Sequence, residues 1–401
     1  MDRKKKLHIH SDNSRFCGSE NMPGLFLNDP IVNSHFDVTF SYRYSPEYEK
    51  GLEEWIGKDK RCIPLNFPFT NFLCKKRESL GRWIMALGYP GQLLEIDRLH
   101  SLFRYLEPDI VHCNNGGYPG ASTVNSAAIA AGLLGIPVTY MANGPYRKRW
   151  WEFPLAWLLD EYVTKFVSAW DRDCFFRKED NWVVIPNTVA PREIKVDKEA
   201  VRRAFLVKED ELLFLSLGVM EERKGHHILI DAWKELFQYK EKADATLIVA
   251  GEGSALYCLK LIQQRDVLED SHRLKAWIYN LDSSFVPIKV NAYDLINACD
   301  VLVLPSLYDE DFPNALLIAI MMGKPVIASE LVGIPDIVLT HWDGLLTRSG
   351  DSNSLKCAIE AMIEDKEGRE NMGRNAAEAF RDRFSRDIVM KKYVSLWKEL
   401  T

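Results

Sequence analysis

Two successive series of short apolar runs, each followed by a helix-length segment, constrain this chain more than any other feature. In the first half "LHIH" (7–10), "FDVTF" (36–40), "DIVHC" (109–113), "PVTYMA" (137–142) and "NWVVIPN" (181–187) read as strands; in the second, "ELLFLSLG" (211–218), "ATLIVAGEG" (245–253), "DVLVLPS" (300–306) and "PVIAS" (325–329) do. Several are apolar enough for parallel strands covered on both faces, and they are too short for helices. Between them, "LLEIDRLHSLFRYL" sets Ile96, Leu99, Leu102, Phe103 and Leu106 on one stripe, and "ASTVNSAAIAAGLLG" ends in a glycine before the next strand. In the second half helices are expected near 226–239, 254–268, 293–298 and 313–322, and the chain reads as helical from 352 to its end. Two such series in 401 residues predict an α/β chain of two doubly wound domains. The expected domains are 1–190 and 191–384, parted in the polar stretch "NTVAPREIKVDKEAV" (187–201), with a helix over about 385–401 packing back on the first.

Composition narrows the class. Hydrophobic residues at 47% and charged residues at 27% fit a soluble globular fold, and the net charge of -6 argues against nucleic acid as the main partner. The eight cysteines include no C-x-x-C pair, which favours reduced thiols over a disulfide frame or a zinc site. The N-terminus lacks the pattern of a targeting signal, and no apolar run reaches the ~18 residues that cross a bilayer. These features predict a cytoplasmic protein.

Four strand-to-helix junctions carry chemistry. After the first strand, "SRFCGSENMPG" (14–24) has Gly18, where backbone can approach a ligand closely. "CNNGGYPGAS" (113–122) offers loop amides to an anion or serves only as a turn. At "LSLGVMEERKGHHILIDAW" (215–233), Gly218 ends a strand, and Arg223, Lys224 and Gly225 stand at a helix start. Cations and a helix dipole at one point suit a diphosphate. At "SLYDEDFPNALLIAIMMGKPVIAS" (306–329), the acids Asp309, Glu310 and Asp311 precede Pro313, where a helix can begin with Asn314 and Ala315 offering N–H groups. Carboxylates accept from sugar hydroxyls and helix-start amides donate to phosphate, the two demands of a sugar nucleotide.

Over most of its length the chain resembles the retaining glycosyltransferases of family 4, which have the GT-B fold of two Rossmann-like domains facing a cleft. The resemblance lies in "GSE" (18–20), "PDIVHCN" (108–114), "IPNTV" (185–189), "GVMEERKG" (218–225), "VAGEG" (249–253), "ACDVLVLPS" (298–306), "EDFPNALLIAIMMGKPVIAS" (310–329), "GIPDIV" (333–338) and "DGLL" (343–346). It implies transfer of a sugar, with retention and without a metal, from a UDP- or GDP-linked donor to a glycan or lipid-linked acceptor in polysaccharide or glycoconjugate synthesis. No other cofactor is implied. Lys224 then falls on the lysine of the donor diphosphate and Gly18 on the glycine loop near the same phosphates. Glu310 falls on the first glutamate of the E-x7-E pattern, at the donor sugar, and Phe312, Pro313, Asn314 and Ala315 supply amides around sugar and phosphate. Catalysis would rest on Glu310, Lys224 and Asn143, the main term being stabilisation of the departing nucleoside diphosphate.

The chain departs from the family at three places. The second glutamate of E-x7-E, which usually holds the ribose, falls on Ile318. The arginine after the phosphate-strand glycine falls on Val219, with Arg223 near enough to supply the charge, and the family's histidine-glycine falls on Asn143-Gly144. These departures keep two alternatives open: a degenerate binding or scaffold protein, and a phosphorylase or epimerase on the same fold. "DED" (309–311) formally matches a metal-binding D-x-D, and "GEGSAL" (251–256) has Leu256 where a dinucleotide loop needs its third glycine. In "YRKRWWEFPLAWLL" (146–159), Arg147, Lys148, Arg149, Trp150 and Trp151 fit either peripheral contact with an anionic lipid surface or a loop leading into a packed helix.

Overall fold

The computed structural model describes residues 3–13, 16, 18–67, 89–116, 121–142, 153–171, 181–237, 245–266, 276–280, 288–308 and 310–401. The chain divides into two units, residues 1–187 with 386–401, and residues 188–385. The division thus falls at 187/188 and 385/386, where the expected borders were 190/191 and 384/385. Thr188 Oγ1 donates to the carbonyl of Phe384 at 2.6 Å, so the segments entering and leaving the second unit are fastened to each other inside it.

The first unit holds a seven-stranded sheet of β1 (Lys5–Ser11), β2 (Phe36–Arg43), β3 (Cys62–Leu65), β4 (Ile110–Gly116), β5 (Val138–Ala142), β6 (Lys165–Ser168) and β7 (Trp182–Val184). Its order is β3-β2-β1-β4-β5-β6-β7, with every pair parallel. In β1 the alternation of "LHIH" does not mark a wet face. Leu7, Ile9, His8 and His10 are all buried. His8 meets the hydroxyls of Thr39 and Ser41 at 2.8 Å, and His10 meets Ser41 at 2.8 Å and Thr123 at 3.1 Å. Hydroxyl partners let an imidazole be buried only in its neutral form.

The second unit holds β8 (Leu212–Leu217), β9 (Ala245–Gly251), β10 (Ala276–Asn280), β11 (Val301–Leu304), β12 (Val326–Ser329) and β13 (Gly344–Thr347). They lie in the parallel order β10-β9-β8-β11-β12-β13. Both sheets are the doubly wound type read from the sequence. Strands β3, β6, β10 and β13 escaped that reading; β3, β10 and β13 are edge strands, which need less apolar sequence, and β3 tolerates Pro64 for that reason.

Helices cover both sheets. On Tyr89–Leu106 the predicted stripe holds at its centre, where Leu99 and Phe103 are fully buried. The segment Asn314–Met321 is apolar all round and accordingly buried from Leu316 to Ile320. The last helix, Arg386–Leu400, belongs to the first unit. There Trp397 is fully buried among the rings of Phe26, Phe36, His112 and Tyr393, 5.1–5.8 Å away, and its Nε1 donates to Thr139 Oγ1 at 3.2 Å. Arg386 adds an ion pair to Asp29, which also caps the helix Pro30–His35. No helix among the described residues is long and apolar enough to cross a membrane.

Candidate functional site

In the six-stranded sheet the winding reverses between β8 and β11. A crevice opens at such a point beyond the carboxyl ends of the strands, and ligands of doubly wound sheets bind there. From β8 the chain passes Gly218 and a short turn, Glu222–Lys224, before the helix His226–Phe237. From β11 it passes Pro305 and Ser306 before the helix that opens at Asn314.

Backbone contacts hold these exits together. The N–H of Leu307 donates to the carbonyl of Arg223 at 2.8 Å. Ser349, in the loop after β13, donates its hydroxyl to the carbonyls of Ser306 and Leu307 at 3.2 and 3.0 Å. Gly225 has φ +66°, and a Cβ there would lie 1.9 Å from the Pro305 carbonyl oxygen, so only glycine permits this approach. The stem of Lys224 passes over Gly218, which it would meet in ordinary contact even with a Cβ present.

At the centre Lys224 Nζ donates to Glu310 Oε2. The same oxygen accepts from Ser306 Oγ at 2.8 Å and lies 3.8 Å from Arg223 Nη1. Arg223 Nε is paired with Glu221 at 2.6 Å. Lys224 and Glu310 are 8% and 6% exposed, so water screens this pair little. Beneath it His226 is held neutral, its pKa lowered to about 3 by burial and then by the charge of Lys224. Pro313 takes the cap position of the next helix, and the first helical bonds run from Leu316 and Leu317 to its carbonyl. The amides of Asn314 and Ala315 therefore head that helix, at its positive end. The arrangement presents two cations beside a carboxylate that stands four residues before a helix start, which is chemistry for a phosphorylated, hydroxyl-bearing ligand.

Gly218, Arg223, Lys224 and Glu310 are thus brought together, with Phe312, Pro313, Asn314 and Ala315 leading away from them. Phe312 is buried and packs its ring on Phe384 at 5.7 Å, which anchors the loop. Ile318 lies one turn into the helix, 6% exposed, and Val219 is 46% exposed. Gly18 belongs to the other unit, where it opens the turn Gly18–Glu20 after β1. Asn143 and Asp309, like Arg147, Lys148, Arg149, Trp150 and Trp151, lie outside the described residues.

Sequence reasoning gave no role to Ser306 or Ser349. A serine after a strand is an ordinary strand end, and nothing in the sequence links Ser349 to a loop 42 residues earlier. It also passed over a cluster at the reversal point of the first sheet, between β1 and β4. There the buried Glu20 accepts from Ser11 Oγ and, at 2.6 Å, from the Tyr48 hydroxyl, and burial raises its pKa to about 7. Next to it Asp12 pairs with Arg43 and accepts from the Thr123 N–H at 2.9 Å. The motif "GSE" contains Glu20, but only the fold shows what its carboxylate meets.

Two doubly wound units of this kind are also found together in solved proteins. HepE of Anabaena, in complex with UDP, matches 98% of this chain and 100% of its own with a TM-score of 0.71 at 19% identity. The fold is GT-B. Residues 197–379, within the second unit, match the family described as Glycosyl transferases group 1. Among curated proteins, an uncharacterized glycosyltransferase of Methanocaldococcus jannaschii is 27% identical over 59% of this chain and 60% of its own length. The UDP-Gal:alpha-D-GlcNAc-diphosphoundecaprenol alpha-1,3-galactosyltransferase of Escherichia coli is 24% identical over 67% of this chain and 70% of its own. The chain spans less than two thirds of the first of these relatives.

Proposed function

We propose that this protein is a glycosyltransferase that binds a UDP- or GDP-linked sugar at the β8–β11 reversal point and passes the sugar to a saccharide acceptor, with retention and without a metal. The observation that carries the reading is the convergence of Arg223, Lys224 and Glu310, the last of them four residues before a helix start. The family match within the second unit supports it, as do a solved neighbour bound to UDP and a relative named for a diphosphoundecaprenol acceptor.

In this reading Lys224, Arg223 and the amides of Asn314 and Ala315 take the diphosphate, and Glu310 takes hydroxyls of the donor sugar. The bond between the anomeric carbon and the phosphate oxygen breaks, and the acceptor hydroxyl oxygen bonds to that carbon on the same face. Its proton passes to the departing phosphate oxygen, so no protein nucleophile is required. Cations fixed before the reaction stabilise the charge that grows on the leaving group. The acceptor is assigned to the first unit, a glycan or a lipid-linked saccharide in polysaccharide or glycoconjugate synthesis. The apolar Ile318 favours a second reading, a binding protein of this fold without turnover.

The test is calorimetry of the purified chain with UDP and GDP sugars, followed by product analysis with and without EDTA. Binding with slow hydrolysis or transfer unaffected by EDTA is the expected result. Binding of no nucleotide sugar refutes the donor site, and activity abolished by EDTA refutes the metal-free chemistry.

A further inference from the structure

We propose that Glu310 competes with the donor diphosphate for Lys224, so that the site favours a nucleotide sugar over the nucleoside diphosphate left after transfer, and that Ser306 is the positioning residue that keeps the carboxylate aimed. This rests on the donor-site reading above.

Glu310 Oε2 accepts from Lys224 Nζ and from Ser306 Oγ at 2.8 Å, with Arg223 Nη1 3.8 Å away. A diphosphate must take Lys224 from this carboxylate, and Glu310 at 6% exposure has little water to replace it. Separating a buried pair leaves an uncompensated charge, which is strongly unfavourable unless new donors arrive. The hydroxyls of a donor sugar are such donors. A bare nucleoside diphosphate has none at that place.

The two ligands therefore face different costs. With the sugar attached, Glu310 exchanges one donor for another. Without it, Glu310 is stranded and returns to Lys224, expelling the product. For this exchange the carboxylate must stay in place while the lysine leaves. Ser306 supplies that hold, since it is fully buried and its own carbonyl and that of Leu307 are pinned by the Ser349 hydroxyl.

The experiment is calorimetry of the full chain with UDP, GDP, UDP-glucose and GDP-mannose. Glu310→Gln is expected to bind the bare diphosphate about tenfold more tightly than the wild type, the size of one charged hydrogen bond no longer broken. Glu310→Asp, which withdraws the carboxylate by one methylene, should shift in the same direction and serves if Glu310→Gln does not fold. Ser306→Ala should hold the bare diphosphate unchanged and bind the sugar conjugate about tenfold more weakly. A folded Glu310 variant that binds the diphosphate no tighter than wild type overturns the competition. Equal weakening of both ligands by Ser306→Ala overturns the positioning role. Wild-type protein that melts cooperatively yet binds none of the four compounds refutes the donor-site reading itself, a result separable from either of these.

Discussion

Replacing Gly225 by alanine tests the joint on which the site depends. The added Cβ would sit 1.9 Å from the Pro305 carbonyl oxygen and 3.4 Å from Leu307 Cδ2, in a residue at φ +66°. The left-handed conformation costs an L-residue about 1–2 kcal/mol, less a few tenths to 1 kcal/mol for the stiffer unfolded chain. Relieving the clash needs backbone movement, about 1–3 kcal/mol by the measure of overpacked cores, and removes the Leu307-to-Arg223 bond, about 1 kcal/mol. A loss of about 3–5 kcal/mol is expected. Gly350→Ala supplies the control in the same unit: φ is +74°, but the new Cβ meets only Leu307 Cδ2, at 3.8 Å, so about 1 kcal/mol is expected. Urea unfolding of both variants measures the difference. Equal losses would refute the close approach of the β8 and β11 exits, and with it the placement of Lys224 beside Glu310.

Two further perturbations address the first unit. Trp397→Ala removes a fully buried indole and its bond to Thr139, and should cost about 3–5 kcal/mol; hydrogen exchange at β4 and β5 should rise with it, and unchanged protection there would show that the last helix does not hold this unit. Stability should also fall as the pH is lowered from 6.5 toward 5. His8, His10 and His112 have pKa values lowered by burial to about 3, 4 and 3, so below 6.5 the unfolded chain binds protons that the native state refuses. Glu20 acts in the opposite sense: raised to about 7, it contributes stability that is full below 4.5 and lost as the pH rises through 7. Three groups against one leave about two net protons, or about 3 kcal/mol per pH unit near pH 5.5. A urea midpoint for this unit that stays level over that range would refute the neutral burial of these histidines.

What the sequence determined by itself was periodic or local. The apolar runs of β1, β4, β5, β8, β9, β11 and β12 are buried on both faces, and that of β2 alternates, with Phe36, Val38 and Phe40 inside, so each announces itself without knowledge of its neighbours. The helix start at Asn314 was legible from Pro313, and the cations at Arg223 and Lys224 from their place after a strand and a glycine. Only the tertiary structure decided what these groups meet. Lys224 and Glu310 are 86 residues apart, and their contact exists because β8 and β11 are adjacent in the sheet although β9 and β10 separate them in sequence. The same holds for Ser349 under the Ser306 loop, for Glu20 between Ser11 and Tyr48, and for Trp397 against Thr139, 258 residues away. Periodicity records which side of an element is buried, whereas strand order and the backbone approach at Gly225 choose the partner.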